Sequence, residues 1–170
     1  MRFAVLLLWV AGYAQVAPSN EQIVKEWQMS KEFTLAVADA MPADQYGFKV
    51  ADGEMSFAAL MIHIASSQSF RFAQVAGVPN PLEVPKELPK GQAKAIAMDL
   101  LRKSFDYCIG QLGKFTPEQL ARTYKLDWYE RPEATGREIL LGMFVHTAHH
   151  RAQAEVYERA KGITPPVYRF

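Results

Sequence analysis

The sequence predicts an all-α protein, a four-helix bundle, and three observations carry that expectation. Four long stretches repeat apolar residues at three- and four-residue steps, the period of a helix that buries one face. Capping boxes and Pro or Gly stops bracket these stretches. No segment alternates with period two for long enough to build a sheet. Four long helices bury their apolar faces by packing on one another.

A chain of 170 residues suits one domain with a full core, placed here at residues 18–170. Its 49% hydrophobic and 22% charged content is that of an ordinary globular protein. A formal charge of +1 gives no electrostatic case for nucleic acid or an anionic membrane surface. The single cysteine, Cys108, excludes an internal disulfide.

The first residues read as a separate segment. Arg2 precedes an apolar run from Phe3 to Ala11, then Gly12-Tyr13-Ala14, a small-x-small site. This is the pattern of a secretory signal peptide, residues 1–14, cut after Ala14. The competing reading is an N-terminal arm packed on the domain. The run is too short for a membrane span, which takes about 20 apolar residues. A cleaved signal places the mature chain outside the cytoplasm, in the periplasm or beyond; an uncleaved arm leaves it cytoplasmic.

The first helix begins at the capping box of Ser19 and Gln22 and ends at Pro42. Ile23, Trp27, Ser30, Thr34, Val37 and Met41 line its inner face. Ala43 to Met55 reads as a polar connection. The second helix runs from about Phe57 to Ala76, stops at Gly77-Val78-Pro79, and is apolar on most sides, as a central helix is. Four prolines between Val78 and Lys90 make a semi-rigid loop. A third helix covers about Gly91 to Leu112. Thr116-Pro117-Glu118-Gln119 opens a short helix to about Tyr124. A loop carrying Trp128 and Tyr129 then leads to the last helix. Thr135 caps that helix with Glu138, and Gly162, Pro165 and Pro166 stop it.

The last helix holds three of the four histidines. Residues four apart on a helix lie about 40° from one another, so His146 and His150 project side by side. His149 falls about 60° to the other side of His146. Ile139, Gly142, Gln153 and Tyr157 share the His146 stripe. His63 sits mid-way along the second helix, with Ser56, Ala59, Leu60, Ser67, Phe70 and Gln74 along its direction, small enough on either side to leave room. Imidazole is a good ligand for Zn²⁺, Ni²⁺ or Fe²⁺, and an i, i+4 pair preorganises one edge of a site. A third imidazole from a facing helix leaves coordination positions open for water or substrate.

Each residue also has a plainer reading. His63 alone suits a hydrogen-bonded core histidine. His149 suits the surface or a hydrogen bond to a ligand, rather than ligation. Gln153 fits packing or hydrogen bonding to a ligand equally well. Tyr157 reads as core, and Arg151 as a solvated or salt-bridged side chain rather than a substrate clamp. Trp128 and Tyr129 suit either a pocket mouth or the cover of a bundle end. Ser66, Ser67 and Cys108 have no base partner in the sequence, so none reads as a nucleophile.

His146-Thr147-Ala148-His149-His150-Arg151-Ala152-Gln153 has the form H-x-x-H-H-R-x-Q, and Leu60-Met61-Ile62-His63-Ile64 places a histidine in an L-x-x-H-I setting. With Gly162-x-x-Pro165 after the last helix, the chain resembles the DinB/YfiT-like superfamily of four-helix metalloproteins over essentially its whole mature length. The resemblance implies an up-down-down-up bundle, often paired into homodimers. It implies His63, His146 and His150 as metal ligands, with His149 excluded. Characterised members of that superfamily are mostly thiol-dependent transferases and isomerases, or the iron domain of sulfoxide synthases. Ala152 stands where glycine is usual, a packing variation. The export signal is the larger departure, because low-molecular-weight thiols are chiefly cytoplasmic.

The expectation is therefore a protein holding one divalent transition-metal ion (Zn, Ni or Fe) on His63, His146 and His150. It would act as a metal-dependent hydrolase or thiol-dependent transferase on a small-molecule substrate or thiol. The alternatives are a non-catalytic metal- or small-ligand-binding bundle, and a plain bundle whose histidines are core packing.

Overall fold

The computed structural model describes residues 19–126 and 131–168. The expected signal segment, residues 1–14, and the loop aromatics Trp128 and Tyr129 lie outside the described residues. The chain is mostly helical. Helix α1 spans Asn20–Ala40, α2 Phe57–Ala76, α3 Ala93–Leu112, α4 Pro117–Ala121 and α5 Gly136–Ala160, with a 3₁₀ turn at Ala43–Gln45 and two short strands, β1 Thr123–Lys125 and β2 Glu133–Thr135.

Local chemistry sets most of these boundaries. The Ser19 N–H donates to Gln22 Oε1 at 2.7 Å while Ser19 Oγ accepts from the Gln22 N–H at 3.2 Å, so both ends of the capping box close. Met41 is extended, as the residue before a proline prefers, and α1 ends there. At the end of α2, Gly77 takes φ +73°, a left-handed backbone that spares glycine the Cβ penalty, and the Val78 N–H returns to the Ala73 carbonyl at 3.1 Å.

Packing follows from the apolar faces. Helices α1 and α2 each pack chiefly on α3 and α5. Trp27 of α1 is the hub, with its ring 5.0 Å from Phe72 of α2, 6.2 Å from Phe105 of α3 and 5.6 Å from Phe144 of α5, all edge-on. Each such pair contributes about 0.5–1.5 kcal/mol beyond area burial. A fully buried polar link crosses the same core. Gln68 Nε2 donates to Ser104 Oγ at 2.8 Å, and Thr147 Oγ1 donates to Gln68 Oε1 at 3.2 Å, tying α2 to α3 and α5. Each end of the amide has a hydrogen-bond partner, which offsets the cost of burying it.

The structure departs from the sequence expectation in three places. The connection after α1 is anchored rather than polar throughout: Tyr46 is fully buried and its hydroxyl donates to the Ala38 carbonyl. Helix α4 stops at Ala121 instead of reaching Tyr124, because Thr123–Lys125 pair antiparallel with Glu133–Thr135. That ladder is three residues long, too short to leave a period-two signature. Arg151, expected as a solvated or salt-bridged side chain, is 7% exposed. It donates to Ser30 Oγ at 3.1 Å and Thr34 Oγ1 at 3.3 Å and lies over the Phe33 ring at 4.4 Å, so its charge is partnered inside the bundle.

Candidate metal centre

The start of α5 is fixed from three sides. The β1–β2 ladder ends with Thr135 opposite Thr123, and the Thr135 hydroxyl accepts from the Glu138 N–H. Gly136 is packed so closely that a Cβ there would lie 2.4 Å from the Gln119 carbonyl oxygen. These contacts fix where α5 begins, and His146 and His150 follow ten and fourteen residues along the same helix.

Those two rings meet His63 of α2. His146 Nε2 lies 3.1 Å from His63 Nε2 and 3.1 Å from His150 Nε2. One ring nitrogen from each of the three falls within 4.8 Å of the others. A tetrahedral ion with Zn–N bonds near 2.05 Å would hold its nitrogens about 3.3 Å apart, close to the two 3.1 Å separations that His146 makes. His149 is exposed and its ring centroid is 4.9 Å from that of His150; it does not join the convergence.

The electrostatics keep the rings neutral. Burial, then the charges that His150 and His63 would carry, hold His146 down to about 4. His63 and His150 are lowered for the same first reason, burial. No carboxylate is hydrogen-bonded to any of the three among the described residues. Three neutral imidazoles with nitrogens turned to one point form a donor set for a borderline transition metal. The remaining nitrogens differ. His150 Nδ1 is 2.6 Å from Gln153 Oε1, His63 Nδ1 is 3.5 Å from Ser67 Oγ, and His146 Nδ1 is buried with no hydrogen-bond partner among the described residues.

The other candidates resolve simply. Tyr157 is core, its hydroxyl donating to the Met55 carbonyl at 2.8 Å. Cys108 is fully buried and burial pushes its thiol well up, the reverse of an activated nucleophile. Ser66 Oγ donates to the His63 carbonyl. A cleft of about 710 Å³ opens beside His146, lined by Arg71, Leu126, Ile139, Met143 and His149 among others. Arg71 had no signal in the sequence: it is 2% exposed on a helix that reads as apolar on most sides. Its guanidinium donates to Gln74 Oε1 at 2.7 Å.

A sequence model of the DinB superfamily matches residues 22–154, from the first turn of α1 through all three converging histidines. The chain belongs to the DinB superfamily. Among its relatives is an uncharacterized protein, YjoA, of Bacillus subtilis (strain 168), 29% identical over 153 residues, 88% of this chain and 96% of that one. The crystal structure of the DinB-like YjoA from Bacillus subtilis superposes with a TM-score of 0.68 at 27% identity, over 87% of this chain and 97% of that one. A DinB-like protein from Bacillus cereus gives 0.69 at 22% identity, covering 88% and 97%. A conserved protein from Enterococcus faecalis gives 0.65 at 16%, covering 84% and 96%, and these two show a shared fold alone.

Proposed function

We propose that this DinB-superfamily protein binds one divalent transition-metal ion, Zn, Ni or Fe, through His63, His146 and His150, and uses it as a metal-dependent hydrolase or thiol-dependent transferase. The observation that carries this reading is the convergence of three neutral imidazoles within 4.8 Å. An ion held by three protein ligands keeps positions open, where it lowers the pKa of a bound water or thiol. The chain's own contribution is to keep the rings uncharged and oriented. The cleft beside His146 then receives a small substrate against Ile139 and Met143.

The second reading, a non-catalytic metal- or small-ligand-binding bundle, is favoured by the lack of a carboxylate hydrogen-bonded to the three rings among the described residues. A positioned acid or base is the usual companion of metal-assisted hydrolysis.

The bundle order proposed is up-down-down-up. Lys94 reaches Asp39 while Lys31 reaches Asp106, as in antiparallel α1 and α3. The pairs Tyr157–Met55 and His150–His63 fit antiparallel α5 and α2, and Trp27–Phe144 with Ser30–Arg151 fit parallel α1 and α5. An apolar outer face on α5, with Leu141 64%, Val145 58% and Val156 55% exposed, suits pairing into a homodimer. Export follows from the residue 1–14 pattern, and it favours hydrolysis over thiol transfer.

Elemental analysis of protein purified without a His tag tests the metal reading. About one ion per chain is the expected result, and none overturns it. N-terminal sequencing of the exported form should begin at Gln15; an intact Met1 there removes the signal peptide.

A further inference from the structure

We propose that Gln153 is a positioning residue for the metal centre: its side-chain carbonyl accepts the Nδ1 proton of His150 and so turns the Nε2 lone pair of that ring toward His63 and His146. The inference rests on the metal reading above and assigns a role that the sequence left balanced between packing and hydrogen bonding.

The geometry is specific to this residue. His150 Nδ1 and Gln153 Oε1 are 2.6 Å apart, one helical turn along α5. Gln153 is exposed, so its side chain adds nothing to the core that a replacement would disturb. A neutral imidazole carries one proton, and a carbonyl on Nδ1 keeps that proton there. Nε2 is then bare and available to a cation. The opposite amide orientation would place a donor on Nδ1 and force the proton onto Nε2, where it would block ligation. The other two rings have no equivalent device. Ser67 Oγ is 3.5 Å from His63 Nδ1, at the limit of a hydrogen bond, and a hydroxyl serves either tautomer. His146 Nδ1 has no partner among the described residues. His150 is therefore the one ligand whose tautomer is fixed before an ion arrives, which lowers the penalty of ordering the site.

Two variants and two readouts test this. Gln153→Leu removes the acceptor, and Gln153→Glu keeps one at the same place. Long-range ¹H–¹⁵N spectra of metal-free protein report which nitrogen of His150 is protonated. The wild type and Gln153→Glu should hold the proton on Nδ1, and Gln153→Leu should move population to Nε2–H. Zn²⁺ affinity, read by chelator competition, should fall about 10- to 100-fold in Gln153→Leu and be restored in Gln153→Glu. A wild-type His150 protonated on Nε2, or a Gln153→Leu protein with unchanged tautomer and affinity, overturns the inference while leaving the three-histidine site intact. Wild-type protein that takes up none of Zn²⁺, Ni²⁺ and Fe²⁺ overturns the metal reading itself, and the His150 spectra then decide Gln153 separately.

Discussion

His63 Nε2 and His146 Nε2 stand 3.1 Å apart across 83 positions of sequence, and His150 Nε2 is as close to His146. A ring nitrogen offers either a lone pair or a proton, so His146 Nε2 can serve one of these neighbours as donor or acceptor and leaves the other unmatched. A single cation would serve all three nitrogens at once, as the proposed metal site requires. Burial holds His146 down to about 4, which keeps its lone pair free at neutral pH.

Glu158 makes stability depend on pH. It is fully buried on α5, and neither carboxylate oxygen has a hydrogen-bond partner among the described residues. Burial first, then Glu155, raises it from 4.5 to about 7, against a smaller opposing pull from Arg159. A folded value above the unfolded one gives a contribution that is complete below about 4.5 and lost as pH rises through about 7. The full span is on the order of 3 kcal/mol. Urea unfolding at pH 4 and pH 8 should show Glu158→Gln level with wild type at the lower pH and more stable at the higher. An equal difference at both values would contradict this.

Arg151 should matter for the fold. Its guanidinium bonds Ser30 and Thr34 and covers Phe33. Arg151→Ala loses these contacts and opens space in the core, and should destabilise by about 2–4 kcal/mol. Arg151→Lys cannot reproduce a planar group that stacks and donates at once, so it should recover less than half of that. Denaturant midpoints check both, and a lysine variant equal to wild type would count against the stacked arrangement.

Gly136 is required by close approach. A Cβ at this position meets the Gln119 carbonyl oxygen at 2.4 Å and Val75 Cγ1 at 3.1 Å. The first neighbour is backbone and cannot swing away. Gly136→Ala should displace the start of α5 and destabilise by about 1–3 kcal/mol, read from the urea midpoint. An unchanged midpoint would mean the entry to α5 is looser than described.

What sequence made legible is what neighbours along the chain decide. The boxes at Ser19, Thr116 and Thr135 close as their spacing requires. The left-handed stop at Gly77 and both ends of α2 also fall where local signals put them. The buried places of Tyr46 and Arg151 are not legible locally, because a polar-looking context says nothing about which distant carbonyl or ring will receive them. The β1–β2 ladder was invisible because three residue pairs are too few to establish a period. At the site, the placement of His146 and His150 on one face is a property of the helix alone. That His63 meets them, and that Gln153 reaches His150, depends on rotation set by packing elsewhere. Arg71 was missed because one charge on an apolar helix carries no periodic signal.

The most direct test of the central claim is stoichiometric Zn²⁺ uptake by untagged wild-type protein and by His63→Ala, His146→Ala and His150→Ala, with circular dichroism to show that each variant remains folded. One ion per wild-type chain is expected, with loss of stoichiometric binding in each of these three variants and His149→Ala unaffected. Full occupancy in any folded variant lacking one of the three imidazoles would contradict it.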